Sequence, residues 1–202
     1  MSTELEKVAT TGSVEMEKVT PYKSNKEYYK VTEAILRLLF LASLVVAVVV
    51  MVTSKETELI SVKLDPFPPF MVPLTAKFTQ SPAFIYFVAG LSVAGLYAII
   101  STLASFYNLL IKPGFCPVLV SHFIILDVVM LGIVASAIGA AGGVAYIGLK
   151  GNSHVGWTKV CNKYGKLCTH LGASLAVSLF ASIVLLLLII LSIHSLSKKI
   201  PK

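Results

Sequence analysis

The chain has 202 residues, 56% hydrophobic and only 13% charged, with a mean hydropathy of +0.84. A water-soluble domain carries about a quarter charged residues, so these values exclude a purely soluble fold. The net charge of +7 comes from Lys and Arg spread beside apolar runs instead of clustered in one patch, and no nucleic-acid partner is expected.

Residues Met1 to Lys30 mix Glu and Lys with Ser and Thr and lack apolar periodicity, which predicts a disordered N-terminal tail over 1–30. Four apolar runs follow, about 31–53, 84–111, 118–149 and 171–196, and the chain closes on a short basic tail over 197–202. About 20 apolar residues in a helix cross a bilayer core of about 30 Å. The predicted fold class is therefore an all-α membrane protein, a four-transmembrane-helix bundle with two loops on one side. The first run begins too far into the chain, and is too long, to read as a cleavable signal.

The first run opens with Glu33 and Arg37, one helical turn apart, and is apolar from Leu38 to Val52. Arg37 lies about 8 Å into the helix at the standard rise, as a snorkelling side chain or as the partner of an intramembrane acid. The loop Ser54–Ala83 carries five prolines (Pro66, Pro68, Pro69, Pro73, Pro82) and cannot be helical throughout. Only the stretch near Leu59–Leu64 suggests an extended segment. The second run sets Gly90, Ala94, Ala98 and Thr102 on one small-residue stripe and ends at Lys112-Pro113-Gly114. Cys116, in this tight turn, is placed as a palmitoylated cysteine would be, although a free thiol is the simpler state.

The third run contains Asp127, a carboxylate that hydrocarbon tolerates only with a partner. It also carries two interleaved small stripes, Gly132/Ser136/Ala140 and Ala135/Gly139/Gly143, a pattern that marks close helix contact within or between subunits. The second loop, Lys150 to His170, holds Trp157, Cys161 and Cys168. In an oxidising compartment the two cysteines would form a disulfide. With His154 and His170 they would instead supply four ligands for zinc. Trp157 reads as a packing or interfacial residue. The fourth run is leucine-rich, with Ser174, Ser178 and Ser182 spaced to bond a neighbouring helix or the preceding turn.

Four spans put both termini on one side. That side carries ten Lys and Arg against seven in the two long loops, so the positive-inside rule predicts cytoplasmic termini. The first and third helices then run parallel, Asp127 lies about 14 Å in, and the long Arg37 side chain can reach it. An Arg37–Asp127 ion pair is expected as an internal tie.

Taken together, EAILRLLFLASLVVAVVVMVTSKET with Arg37, LDVVMLGIVASAIGAAGGVAYIG with Asp127, and KGNSHVGWTKVCNKYGKLC with Trp157, Cys161 and Cys168 resemble the Casparian strip membrane domain proteins and their CASP-like relatives in plants, within the wider four-span MARVEL group. The resemblance runs from about Thr32 to the end of the fourth span. It implies a plasma-membrane protein with cytoplasmic termini that forms homo- and hetero-oligomers with other CASP-like chains. In members that build the Casparian strip it implies an immobile scaffold that recruits wall-modifying enzymes. The first loop here reads MVPLTAKFTQSPAF and lacks the short aromatic signature of those members, so the similarity is nearest to the first CASP-like subfamily.

The leading functional reading is a non-catalytic membrane scaffold. The alternative is a small proton or cation transporter or channel using Asp127. An enzyme is not expected, because His122 and His194 stand near the interface without a nucleophile constellation. No Gly-rich phosphate loop is present, and no cofactor or metal is expected.

Overall fold

In hydrocarbon the backbone must close its hydrogen bonds within its own segment, and a helix does so. The computed structural model describes residues 21–62, 70–110 and 117–197. They form α1 (Pro21–Val52), α2 (Pro82–Leu110), α3 (Pro117–Lys150) and α4 (Gly165–Ser197). Each helix contains a stretch long and apolar enough to span a bilayer: Tyr28–Val52, Pro82–Tyr107, Ser121–Lys150 and Gly165–Ser197.

Two boundaries correct the sequence reading. Helix α1 begins at Pro21, so residues 21–30 are helical where a disordered tail was expected. Proline suits a first helical position, neither Gly nor Pro follows it within the helix, and propagation from the apolar segment needs no new nucleus. Helix α4 begins at Gly165, six residues before the apolar run, and takes Cys168 and His170 out of the loop. The rest of the N-terminal tail (1–20), the Lys112-Pro113-Gly114 turn, Cys116 and the last five residues lie outside the described residues.

The first loop holds a finding that its prolines concealed. Strands β1 (Lys55–Val62) and β2 (Phe70–Lys77) pair antiparallel in register from Lys55↔Lys77 to Val62↔Phe70. Pro73 faces Leu59 across the ladder. In a two-stranded sheet each strand is an edge, so a residue without an N–H is tolerated there. The Thr57 and Thr75 hydroxyls meet at 2.9 Å across the strands, a cross-strand bond of the stabilising kind. Pro66, Pro68 and Pro69 lie outside the described residues.

The helices pack as a ring in chain order, α1 on α2, α2 on α3, α3 on α4, closed by α4 on α1. Thus α1 and α3 stand at opposite corners. Along each of these helices a series of buried positions steps by three or four residues. In α4 such a series runs through Leu167, Leu171, Ser174, Ser178, Ala181, Leu185, Leu188 and Ser192, with Val184 and Ile189 buried beside it. In α1 the series runs through Ala34, Arg37, Phe40, Leu44, Ala47 and Met51, and in α2 through Phe84, Phe87, Leu91, Ala94, Ala98 and Ser101. A 3.5-residue repeat is the signature of left-handed knobs-into-holes packing. Ser182 falls outside the buried set of α4, while Ser174 and Ser178 lie within it.

The interior holds small polar side chains among its apolar ones. Ser43, Ser101, Thr102, Ser174 and Ser178 are buried among alanines, whereas Ile100, Leu103, Ile125, Val128, Leu179 and Ile190 are exposed on the outer faces. A water-soluble protein would not expose so continuous an apolar surface. Lipid tails are its natural solvent.

Candidate functional site

The interior is organised around one carboxylate. Asp127 is wholly buried on α3. From the opposite corner Arg37 reaches it with two nearly parallel contacts, Nη1 to Oδ1 at 3.5 Å and Nη2 to Oδ2 at 3.3 Å. The Tyr97 hydroxyl, from α2, donates to Oδ1 at 2.6 Å and also lies 3.3 Å from the Phe123 carbonyl. On its other side Arg37 Nε donates to Glu33 Oε1 at 3.3 Å, and the guanidinium carbon sits 5.8 Å from the Phe123 ring centre. Three helices therefore converge on one anion.

Chemically, this arrangement neutralises Asp127 instead of offering it to an ion. Both carboxylate oxygens accept hydrogen bonds and the counter-charge is in direct contact. The two acids of the cluster, Glu33 and Asp127, are separated by an arginine, which does not release its proton at accessible pH. A proton hopping along this line would have to pass through Arg37. Tyr97 has no counterpart in the sequence reading. The available signal was a tyrosine inside an apolar run, whose hydroxyl needs a partner once buried.

The small-residue faces divide into two kinds. On α2, Gly90, Ala94, Ala98 and Thr102 are all buried. A Cβ added at Gly90 would lie 3.3 Å from the Ala137 Cβ on α3, so the glycine sets the α2–α3 spacing. On α3 the buried face is Asp127, Val134, Ala137 and Ala141. Gly132, Ala135, Ser136, Gly139, Ala140 and Gly143 are all exposed, and a Cβ added at Gly132, Gly139 or Gly143 would meet nothing within 4 Å. Only Ser136 engages another helix by a hydrogen bond, its hydroxyl 2.8 Å from that of Tyr86 on α2. In α4, Ser174 donates across to the Ala47 carbonyl of α1 at 2.7 Å, while Ser178 and Ser182 bond back to their own helix.

At the loop end the two loops form one unit. The Leu167 N–H, in the first turn of α4, donates to Glu56 Oε2 of β1 at 2.9 Å. A carboxylate there satisfies an orphan donor and faces the positive end of the helix dipole. Tyr164, buried just before α4, donates to the Leu74 carbonyl of β2 at 3.2 Å. Cys161 and Cys168 are joined, with Cα atoms 5.7 Å apart. That bond withdraws both sulfurs from the thiolates that a zinc site with His154 and His170 would require. Trp157 projects from the loop between α3 and α4 and is 56% exposed.

The Glu56 contact gives a specific expectation. Glu56→Ala should cost about 1 kcal/mol, as loss of an N-terminal cap does. Glu56→Gln, which keeps an acceptor, should cost less. Amide hydrogen exchange at Leu167 is the direct readout: it should accelerate in Glu56→Ala while amides in the middle of α4 keep their protection.

A family profile described as the Casparian strip membrane protein domain matches residues 26–184 of the chain. CASP-like protein IN26 of Ipomoea nil is 91% identical over 195 residues, 96% of this chain and all of that protein. CASP-like protein 1D1 of Populus trichocarpa is 53% identical over 190 residues, 94% of this chain and 95% of that protein. CASP-like protein 1 of Panax ginseng is 63% identical over 152 residues, 75% of this chain and all of that protein. No solved structure matches.

Proposed function

The chain belongs to the Casparian strip membrane protein domain family of multi-pass plant membrane proteins, and from that premise we propose that it is a non-catalytic plasma-membrane scaffold. It lies with both termini in the cytoplasm and assembles with copies of itself and with other CASP-like chains. Wall-modifying enzymes outside the cell are the partners that such an assembly would organise. The observation that carries this reading is the outer face of α3. Six small residues there are exposed, with Ser136 alone bonded to another helix, and three glycines face open space. Glycine inside a helix costs about 1 kcal/mol relative to alanine. In a membrane that cost is offset where a second helix comes close enough to use the missing side chains.

The transport reading loses its main support at the triad. Asp127 was its ion site, and that carboxylate is held by Arg37 and Tyr97. Two measurements separate the readings. Copies tagged in two colours should show energy transfer that scales with their density in the membrane. Proteoliposomes should show no proton or cation conductance above that of empty vesicles. A flux abolished by Asp127→Asn would overturn the scaffold reading.

A further inference from the structure

The loop between α3 and α4 carries a feature that neither the bundle nor its assembly uses. Residues 150–170 contain Lys150, Lys159, Lys163 and Lys166 and no acidic residue. The first loop, by contrast, mixes both signs. Lys150, His154, Trp157, Lys159, Asn162 and Lys163 line an open cavity of about 700 Å³.

This loop is built, not slack. Gly151 and Gly156 both adopt positive φ, +69° and +70°. At Gly151 a Cβ would lie 2.7 Å from the Trp157 carbonyl oxygen, so only glycine fits. Asn152 and Trp157 exchange backbone hydrogen bonds, each 2.9 Å, and the Asn152 side chain accepts from the His154 N–H at 3.1 Å. The Val160 and Cys161 N–H groups donate to the Gly148 carbonyl, tying the loop to the end of α3. The Cys161–Cys168 bond closes it on α4. The Trp157 backbone is thus fixed while its indole stands exposed among lysines, and binding there orders little that is not already ordered.

We infer that this loop is a binding surface for an acidic polysaccharide, a polymer of uronic-acid sugars. The lysines meet the carboxylates, and the flat apolar face of the indole stacks on a sugar ring. An anionic lipid headgroup shares the negative charge. On the outer side of a plasma membrane it is the poorer match, because anionic lipids concentrate in the cytoplasmic leaflet. The inference rests on the proposed orientation, with the loops outside.

Full-length protein in nanodiscs of phosphatidylcholine, open to solution on both faces, provides the test with polygalacturonate as the probe. Binding should be saturable and should weaken steeply with added salt. Lys150→Gln/Lys159→Gln/Lys163→Gln should weaken it about tenfold or more and flatten the salt dependence. Trp157→Ala should weaken binding with the salt dependence retained, and Trp157→Tyr should restore most of it. Dextran, a neutral polymer, should not bind. Retention of the disulfide and monodispersity certify that the variants are folded. Absence of polygalacturonate binding, or equal binding by the triple variant, overturns the surface. Binding confined to nanodiscs containing phosphatidylserine, with none to the polysaccharide, overturns it in favour of a lipid headgroup. The orientation fails separately: an epitope tag at Gly156 labelled only after permeabilising cells would put the loop inside, and overturn the polysaccharide assignment even if the nanodisc result held.

Discussion

Asp127→Asn is expected to destabilise the bundle by about 3–5 kcal/mol, the scale for removing one partner of a buried ion pair. The guanidinium of Arg37 would keep its charge in the interior with Glu33 as its remaining acidic partner among the described residues, and Glu33 is itself partly exposed. Arg37→Gln should cost a similar amount by stranding the carboxylate. Tyr97→Phe should cost less, about 1–3 kcal/mol, because Arg37 still bonds both oxygens of Asp127. The double replacement Arg37→Met/Asp127→Leu should recover most of the single-variant loss, since apolar residues of similar volume avoid desolvating both ions. The Tyr97 hydroxyl would then still have the Phe123 carbonyl 3.3 Å away. Thermal unfolding in detergent, with the fraction of protein reaching the cell surface, tests the whole series. Wild-type melting of both single charge variants would mean that the triad does not hold the bundle together.

The same triad shows what a sequence carries about such an interior and what it withholds. Depth along parallel helices pairs Arg37 with Asp127, because both can be measured in residues from the same membrane face. Depth says nothing about angle around the bundle. That Tyr97 of α2 points at the same carboxylate depends on the ring order of the helices, and no local pattern encodes that order. The small-residue stripes illustrate the same gap. Spacing of four marks Gly90/Ala94/Ala98 on α2 and Gly139/Gly143 on α3 equally, yet the first stripe lies inside and the second outside. Spacing by itself therefore does not tell an inner stripe from an outer one; what each stripe packs against decides it. The hairpin was hidden for a different reason. Prolines argue against central strands, but a two-stranded sheet has only edges. The docking of Glu56 on the first turn of α4 joins residues 111 positions apart, beyond the reach of any local reading.

The contrast between the two glycine faces leads to the second large effect. Gly90→Leu should impair folding. Even a Cβ there comes within 3.3 Å of Ala137, and the remaining side-chain atoms would have to part α2 from α3, at a cost of about 1–3 kcal/mol or more. Gly139→Leu has open space and replaces a poor helix former with a good one, so the isolated chain should melt no lower than wild type. Its effect should fall on assembly. A bulky side chain at the centre of the small face holds a neighbouring helix away, and self-association should weaken about tenfold or more. Energy transfer between tagged copies in a lipid dilution series gives the association constant, and melting of each variant gives the fold. A Gly139→Leu protein that associates like wild type would move the contact to an outer face of α1, α2 or α4, where Val, Leu and Ile keep partner helices further apart. Unequal effects on melting and association, in opposite order for the two glycines, are what separates a face used within the chain from one used between chains.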